Sequence, residues 1–235
     1  MKYKFIDKSV FFPQEKILVV ADLHLGYEQA LNEAGVFLPK HQFKEIMENM
    51  KKIIEKTGKL KEIIILGDLK HEFGTISSQE WREVLEFLDF LQEKTEKIVL
   101  IKGNHDTILE PIAKRKNLEV KDFYIKKDVA FLHGHKSFLE VLDKKVKLLV
   151  MGHKHPAITI RENVKAETYK CFLVGKFKDK EIIILPSFFP LVEGSDVFIE
   201  DTNLAFKFKF SGFKVYVVGD KVYGFGKLKK VGKLI

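Results

Sequence analysis

The sequence contains little cysteine, little arginine and no long apolar run. The single cysteine, Cys171, excludes an intramolecular disulfide and a cysteine zinc cluster, and it is typical of a small apolar residue in a strand. No stretch reaches the ~18 uncharged apolar residues of a membrane span. The first residues, MKYKFIDKSVFFPQEK, show neither a continuous apolar segment nor a small-residue cleavage site, so we do not expect secretion. These absences predict a cytoplasmic protein that does not enter the membrane.

Arginine is scarce although the chain is basic. The formal net charge is +8 and the sequence pI about 9.2, yet arginine occurs only at Arg82, Arg115 and Arg161. A basic surface suits a polyanionic partner, and a lysine- and glutamate-rich surface is equally typical of a thermophilic protein. The lack of arginine argues against base-specific reading of DNA, for which the bidentate guanidinium is the preferred group.

Hydrophobic residues, in contrast, make up 46% of the 235 residues, which is enough for a substantial core. Short runs of valine, isoleucine and leucine show little alternation, as is typical of strands buried on both faces. The runs cover residues 17–21, 63–66, 98–101, 129–132 and 148–151.

Helical patterns lie between several of these runs. Residues 43–57 place apolar side chains on one helical face that ends at Gly58, and a second helix is expected to begin near Ser77, where Ser77 and Glu80 have capping-box spacing. This alternation of strands and helices predicts an α/β fold with right-handed crossovers.

After residue 156 the pattern changes to antiparallel strands. Residues 168–177 and 181–186 are expected to form a hairpin, and 206–210, 214–218 and 221–226 are expected to be further strands, followed by a basic, partly frayed tail at 226–235. We predict a single domain over 1–235, with an α/β half at 1–155 and, at 156–235, mainly antiparallel strands of a second sheet.

Each of the five apolar runs is followed by aspartate, asparagine or histidine residues. Parallel strands place their carboxyl ends along one edge of a sheet, so we expect these loops to converge. Seven of the eight histidines lie in or beside these loops, and only His41 lies elsewhere. The motifs are Asp22-x-His24, Gly67-Asp68, Gly103-Asn104-His105-Asp106, His133-Gly134-His135 and Gly152-His153-x-His155.

Aspartate carboxylates and neutral imidazoles are ligands for divalent ions such as manganese, iron, zinc or nickel. The set contains too many ligands for one ion and about enough for two. A pair of ions about 3.5–4 Å apart can clamp a phosphoryl group and lower the pKa of a bridging water. Any one motif alone would be weak, since each also fits a turn or a surface loop. All five in order predict a two-metal phosphoesterase.

The same series resembles that of the calcineurin-like metallophosphoesterases over residues 17–155. The segments ADLHLGYE and GDLKH are most similar to the nuclease-related branch, which includes the double-strand-break repair nuclease and small prokaryotic relatives associated with DNA repair genes, among them DNA-ligase-associated ones. The resemblance implies an α/β fold in which a two-sheet β-sandwich is flanked by helices, a four-layer α-β-β-α arrangement.

The resemblance also implies a cofactor and residue roles. The cofactor would be two divalent transition-metal ions, with manganese expected first and iron, zinc and nickel as alternatives. His105 would contact the substrate and protonate the leaving oxygen. The implied ligands are Asp22, His24 and His155 for the first ion, Asn104, His133 and His153 for the second, and Asp68 for both.

Departures from the family pattern favour a phosphodiester substrate. The family's protein phosphatases carry Gly-Asp-x-x-Asp-Arg-Gly and Gly-Asn-His-Glu, whereas this chain has GDLKHEF at residues 67–73 and ends the second motif in Asp106. The arginine that would grip a phosphomonoester dianion is therefore missing. His71, Asp106 and His135 are candidates for substrate contact or for support of the residues that make it.

The partner expected from these features is a phosphodiester, either DNA or RNA. Lysines at 70, 102, 136 and 154 could contact its phosphates or lie in solvent, and phenylalanines at 138, 188 and 189 could stack on bases or lie in the core. A homodimer and a DNA-repair partner protein are further expectations. The alternatives are a phosphoesterase for cyclic nucleotides or small monoesters, and a catalytically silent protein-interaction module with the same fold.

Overall fold

The computed structural model describes residues 1–37, 41–72, 76–162, 165–198 and 204–231. Within these ranges the strands form two sheets. The first sheet consists of β1 (Lys4–Ile6), β2 (Ser9–Phe12), β3 (Ile17–Val20), β4 (Leu60–Leu66), β5 (Thr95–Ile101) and β6 (Val120–Lys121). The second consists of β7 (Phe123–Lys126), β8 (Val129–Leu132), β9 (Leu148–Met151), β10 (Pro156–Glu162), β11 (Lys165–Phe177), β12 (Lys180–Ile184), β13 (Ser195–Asp196), β14 (Lys214–Val218) and β15 (Val222–Lys227).

The helices of the described residues lie mainly between strands of the first sheet. They are α1 (Tyr27–Glu33), α2 (Gln42–Thr57), α3 (Ser78–Lys94), α4 (Glu110–Arg115) and α5 (Leu228–Val231), together with 3-10 turns at Glu140–Leu142 and Phe210–Gly212. None of the described helices is long and apolar enough to cross a bilayer.

Strand order places parallel strands at the centre of both sheets. The first sheet has the order β1-β2-β3-β4-β5-β6, in which β3 to β6 are parallel. The second has the order β13-β10-β11-β12-β9-β8-β7, in which β8, β9 and β12 are parallel, and β14 and β15 extend it from β11.

The sheets face each other across one buried layer and are covered on their outer sides. Val19 and Ile64 of the first sheet pack in the same cluster as Phe131, Val150 and Ile183 of the second. The outer face of the first sheet packs against the apolar sides of α2, α3 and α4, and a further cluster covers the outer face of the second sheet. This confirms the predicted α/β sandwich flanked by helices.

The five apolar runs are strands, as predicted, but they divide between the sheets. β3, β4 and β5 belong to the first, whereas β8 and β9 belong to the second. A strand buried on both faces shows the same apolar pattern in either sheet, so the pattern does not reveal the division. Three strands that precede residue 156, β7, β8 and β9, therefore belong to the second sheet.

Several local predictions are confirmed. The helix predicted at 43–57 is α2, with Gly58 at its C-terminus. The helix predicted near Ser77 is α3, and its capping box is formed between Ser77 and Glu80. The predicted hairpin is β11–β12, and the strands predicted at 214–218 and 221–226 are β14 and β15.

The strand predicted at 206–210 was wrong. This segment pairs with no strand, because its phenylalanine rings pack on one another and on neighbouring rings instead: Phe206 and Phe208 lie 5.5 and 5.4 Å from Phe177, and Phe210 lies 5.3 Å from Phe213. The tail is also more ordered than expected, since Leu228 and Val231 of α5 are buried, while 232–235 lie outside the described residues.

Candidate metal centre

The five polar loops converge at one edge of the sandwich. They follow the carboxyl ends of β3, β4 and β5 in one sheet and of β8 and β9 in the other. Backbone hydrogen bonds join the first two loops, from Asp22 N to Gly67 O (3.2 Å) and from His24 N to Asp68 O (2.9 Å). The loops therefore continue the parallel pairing of β3 and β4 past the ends of the strands, which fixes the side chains they carry.

Five of the predicted ligands have a left-handed backbone. Their φ angles are 57° at Asp22, 47° at His24, 48° at Asp68, 67° at His153 and 47° at His155. This region is costly for residues with a Cβ, although aspartate and histidine enter it more readily than most. Backbone strain of this kind concentrates at functional sites, where the surrounding structure must hold it in place.

Glycines beside these residues allow close approach. A Cβ on Gly103 would lie 2.1 Å from Asp68 Oδ1, and a Cβ on Gly152 would lie 2.7 Å from Asp22 Oδ2. Gly67, with a φ of 79°, would carry a Cβ 2.4 Å from His133 Nδ1. The glycines of the sequence motifs are therefore required by packing against the carboxylates and the imidazole.

One set of potential ligands is formed by Asp22, His24, Asp68 and His155, each of which offers one ligand atom within 4.8 Å of the others. Asp22 Oδ1 lies 3.3 Å from His155 Nε2, and His24 Nε2 lies 3.5 Å from the same nitrogen. The Asp22 carboxylate also accepts the backbone N–H of His153 at 3.0 Å, which orients it. Two carboxylates and two imidazoles form a donor set suited to a divalent transition ion.

A second set is formed by Asp68, His133 and His153, under the same distance limit. His133 Nε2 lies 3.3 Å from Asp68 Oδ2 and 3.0 Å from Asn104 Oδ1. Asn104 therefore adds a neutral oxygen to this set. Asp68 is common to both sets, since its Oδ2 also lies 3.9 Å from His24 Nε2.

Hydrogen bonds determine which nitrogen of His133 faces the centre. Its Nδ1 donates to the carbonyl oxygen of Leu66 at 2.7 Å, so Nε2 points to Asp68 and Asn104. An N–H bonded to a backbone carbonyl is the usual support of a metal-binding histidine. Burial would lower the pKa of His133, but the Asp68 carboxylate outweighs burial and raises it to about 9.

The other groups are held in forms that bind cations. Burial acts to raise the pKa of Asp22, but the adjacent imidazoles of His155 and His133 outweigh it and lower the pKa. Burial lowers the pKa of His24 to about 3, so its imidazole is neutral near pH 7. Ionised aspartate and neutral histidine are the states in which these side chains coordinate metals.

His105 and His71 lie beside the first set. His105 Nδ1 lies 2.5 Å from the carbonyl oxygen of His71, and the backbone N–H of His105 donates to Asp68 Oδ1 at 2.9 Å. His71 Nδ1 lies 3.5 Å from His24 Nδ1, and burial lowers the pKa of His71 to about 4. The ring of Tyr27 lies 4.0 Å from that of His71. His71 thus contacts both a predicted ligand and the predicted acid.

Asp106 and His135 occupy different positions. Asp106 is fully buried, and its oxygens accept the backbone N–H groups of Gly103 (2.9 Å) and Lys70 (3.3 Å), so it supports the loop and does not face a substrate. Burial and the nearby Asp68 raise its pKa to about 6. The His135 ring lies 5.2 Å from His133 and 6.0 Å from His153, beside the second set.

Sequence reasoning missed the segment around Ser187, which supports Asp22 through hydrogen bonds to its backbone carbonyl. The hydroxyl of Ser187, which is buried, donates to the Asp22 carbonyl at 2.9 Å, and Phe189 N donates to the same oxygen at 3.2 Å. Lys170 in turn donates to the carbonyls of Ser187 and Phe189. Burial and the nearby Lys8 lower the pKa of Lys170 to about 7. The segment lies in residues 185–196, LPSFFPLVEGSD, to which sequence reasoning assigns no chemistry.

The expectation that the lysines near the site contact phosphates or lie in solvent requires correction for two of them. Lys70 and Lys154 are 0% and 2% exposed, so they do not contact a substrate from solvent. Lys102 pairs with Glu110 at 2.6 Å, and Lys136 is exposed.

The three phenylalanines that were candidates for base stacking also differ in burial. Phe188 and Phe189 are in the core, because their rings pack behind the loop that carries Asp22, whereas Phe138 is partly exposed, with its ring 5.1 Å from Phe123. Long aliphatic lysine stems and aromatic rings supply apolar surface, which explains how residues near the site became buried.

Comparison with known proteins gives a consistent result. A family model described as calcineurin-like phosphoesterase matches residues 15–223. The structure of the nuclease MPE from Pseudomonas putida aligns with 95% of this chain and 100% of its own, with a TM-score of 0.67 and 19% identity. A sequence search of curated proteins finds no match.

Two other structures are more distant. The phosphoesterase Yfce from E. coli aligns with 87% of this chain and 88% of its own, with a TM-score of 0.40 and 15% identity. Wild-type Vps29 from Entamoeba histolytica aligns with 88% of this chain and 96% of its own, with a TM-score of 0.37 and 14% identity. At these levels of identity, the likeness to the Pseudomonas structure is one of fold.

Proposed function

Because the chain belongs to the calcineurin-like phosphoesterase family, we propose that it is a two-metal phosphodiesterase that hydrolyses nucleic acid. Asp22, His24 and His155 would hold one divalent ion, Asn104, His133 and His153 would hold the other, and Asp68 would serve both. Manganese is the first expectation for both ions. The observation that carries the proposal is the position of Asp68 Oδ2, 3.9 Å from His24 Nε2 and 3.3 Å from His133 Nε2.

The residues of the site divide the chemical work. When bound, the pair of ions would supply Lewis-acid stabilisation of the phosphoryl oxygens and an activated water. His105 donates a proton to the leaving oxygen. Its Nδ1 donates to the His71 carbonyl, so the proton for the leaving oxygen comes from Nε2 of the doubly protonated ring, which is left neutral. Asp68 positions His105 by accepting its backbone N–H at 2.9 Å.

The charges of the site favour a diester. Two divalent ions and two ionised aspartates leave a net positive charge, which suits a phosphate ester, and the preference for a diester rests on the absence of a further cation for a second phosphate charge. The chain's arginines, Arg82, Arg115 and Arg161, lie in α3, α4 and β10 and outside all the predicted ligand loops, so no guanidinium from these loops grips a second phosphate charge. His71 lies where the family's protein phosphatases have their second aspartate.

A nucleic-acid substrate is favoured over a small one by two observations. The net charge of +8 suits a polyanion. The Pseudomonas protein of similar fold is named a nuclease, and we carry that activity to this chain as part of the proposal. The competing function is hydrolysis of cyclic nucleotides or small monoesters. A silent interaction module is less well supported, because the chain retains Asn104, His105 and every predicted ligand. Cytoplasmic location, a homodimer and a repair partner remain expectations from the sequence.

A comparison of substrates tests the proposal. Manganese-loaded protein should cleave single-stranded DNA or RNA and bis-p-nitrophenyl phosphate faster than cyclic nucleotides or p-nitrophenyl phosphate. Rapid monoester hydrolysis without diester cleavage would overturn the diester assignment. Metal analysis in parallel should find about two ions per chain, and a folded protein without bound metal or turnover would leave only the interaction module.

A further inference from the structure

Three imidazoles cluster at the solvent side of the candidate metal centre. His24, His71 and His105 each offer a ring nitrogen, and these nitrogens lie within 4.8 Å of one another. His24 is buried, whereas His71 and His105 are partly exposed. We propose that this cluster is a third cation site, which takes a zinc-like ion in addition to the proposed pair.

The separation of two nitrogens supports coordination. His24 Nδ1 and His71 Nδ1 lie 3.5 Å apart. This is longer than the ~2.7–3.2 Å of an ordinary hydrogen bond to nitrogen or oxygen. Two imidazole nitrogens bound at ~2.0–2.1 Å to a tetrahedral zinc ion lie about 3.4 Å apart. The observed spacing is therefore that of a long hydrogen bond between the rings and is close to that of two ligands on one ion.

His24 presents a different nitrogen to each site. Its Nε2 lies near Asp68 and His155 in the first ligand set, and its Nδ1 faces His71. A neutral imidazole with Nε2 on one ion carries its proton on Nδ1. Binding of the further ion at Nδ1 displaces that proton to solvent, and His24 then bridges the two ions as an imidazolate. Release of ligand protons is general in metal binding.

The remaining ligands are already held in place. His105 Nδ1 is bonded to the His71 carbonyl, so Nε2 is its nitrogen for coordination. The His71 backbone N–H donates to Glu80 Oε1 at 2.8 Å, and the ring of Tyr27 lies 4.0 Å from its ring. Both side chains reach solvent, which gives an ion a route of entry and leaves room for a water as the fourth ligand.

The composition of the cluster predicts a lower affinity for an ion than that of the two ligand sets of the proposed pair. It contains no carboxylate, whereas both ligand sets of the proposed pair include Asp68. An ion here meets two neutral imidazoles, must displace the Nδ1 proton of His24, and lies beside the positive charge of the pair, so it binds more weakly than the pair. It also takes Nε2 of His105, the atom assigned above as the proton donor. On the proposed function, turnover therefore rises while the pair loads and falls when the third site fills.

Equilibrium dialysis against zinc, with metal counted per chain, tests the site directly. Wild-type protein should bind two ions tightly and one more at higher zinc concentration, and His71→Phe should lose only the weaker one. Phenylalanine keeps a ring beside Tyr27 and removes both nitrogens. His41→Ala removes an exposed histidine at the start of α2 and should leave the count unchanged. Circular dichroism should show that both variants are folded.

The outcomes are separable from those of the proposed function. The third site is overturned if the weakly bound zinc ion persists in His71→Phe, or if wild-type protein does not bind it. Both outcomes are independent of whether the enzyme hydrolyses diesters. If His71→Phe fails to fold, His71→Asn, which also lacks the imidazole, answers the same question. If His71→Phe loses the weakly bound zinc ion but wild-type protein has no diesterase activity, the third site stands and the proposed function is rejected.

Discussion

The Nδ1 atom of His105 lies 2.5 Å from the backbone carbonyl oxygen of His71. A main-chain acceptor thus takes the place of a carboxylate behind the proposed acid. The carbonyl accepts the Nδ1–H of His105 and so fixes the orientation of its ring, with Nε2 turned outward, without adding a negative charge beside it. The acid therefore depends on the backbone at residue 71, and substitution of the His71 side chain leaves this hydrogen bond possible.

Replacement of His105 by alanine tests its role as an acid. We expect turnover of a diester with a poor leaving group to fall by about 10²–10⁴, because proton donation is lost while the metal ligands remain. Metal content, measured by elemental analysis, should stay near two ions. His41→Ala provides the matched histidine control. A fall below two ions would instead identify His105 as a ligand of the pair.

The raised pKa of His133 predicts a protonation change in the metal-free protein. Its pKa is about 9 because Asp68 outweighs the effect of burial, so the imidazole should carry two protons at pH 7 and one above pH 9. Nitrogen-15 spectra of the ring measure this, with His133→Asn used for assignment. Addition of metal at pH 7 should convert the ring to its neutral form.

The same shift has a defined effect on stability. Since the folded pKa of His133 exceeds its ordinary value of 6.5, protonation stabilises the metal-free fold fully below about pH 6.5. That contribution is lost as pH rises through 9. A ring that is already neutral at pH 7 without metal would contradict both expectations.

Gly103 provides a test of close packing beside Asp68. An alanine Cβ would lie 2.1 Å from Asp68 Oδ1, so Gly103→Ala should displace the bridging carboxylate and lower stability by about 1–3 kcal/mol. Gly212→Ala is the control, because nothing lies within 4 Å of its Cβ. Denaturant unfolding and metal counts measure the two effects, and equal behaviour of the variants would show that the loop adapts.

Ser187→Ala tests the support of Asp22. Loss of the 2.9 Å hydrogen bond to the Asp22 carbonyl should cost about 1–2 kcal/mol and weaken the first ion more than the second. Ser211→Ala, at an exposed serine, is the control. The midpoint of metal loading is the measurement. A normal midpoint in a destabilised Ser187 variant would limit this residue to a purely structural role.

The strands and the residues at their ends could be predicted because they depend on local signals. Apolar runs such as 63–66 identify buried strands, and the motif that follows each run places Asp68 and its counterparts at the carboxyl ends. The capping box of Ser77 and Glu80 likewise fixed the start of α3. The grouping of His24 and Asp68 then follows from strand direction, whereas His133 joins them because β8 lies in the sheet that packs on the first.

Other features depend on contacts between distant segments. Ser187 reaches Asp22 across 165 residues of sequence, and no local pattern identifies such a pair. The alternation at 206–210 suggested a strand, but ring packing of Phe206 and Phe208 decided its structure. The burial of Lys70 and Lys154 likewise follows from packing around the loops, which charge patterning alone does not reveal.

The left-handed backbone at Asp22, His24, Asp68, His153 and His155 has a consequence for protein engineering. A graft that copied only the side chains onto regular strand ends would aim them in the wrong directions. A transplanted centre would also have to import the turns, with their neighbouring glycines and interloop hydrogen bonds. The smallest portable unit is therefore a set of supported loops spanning two sheets.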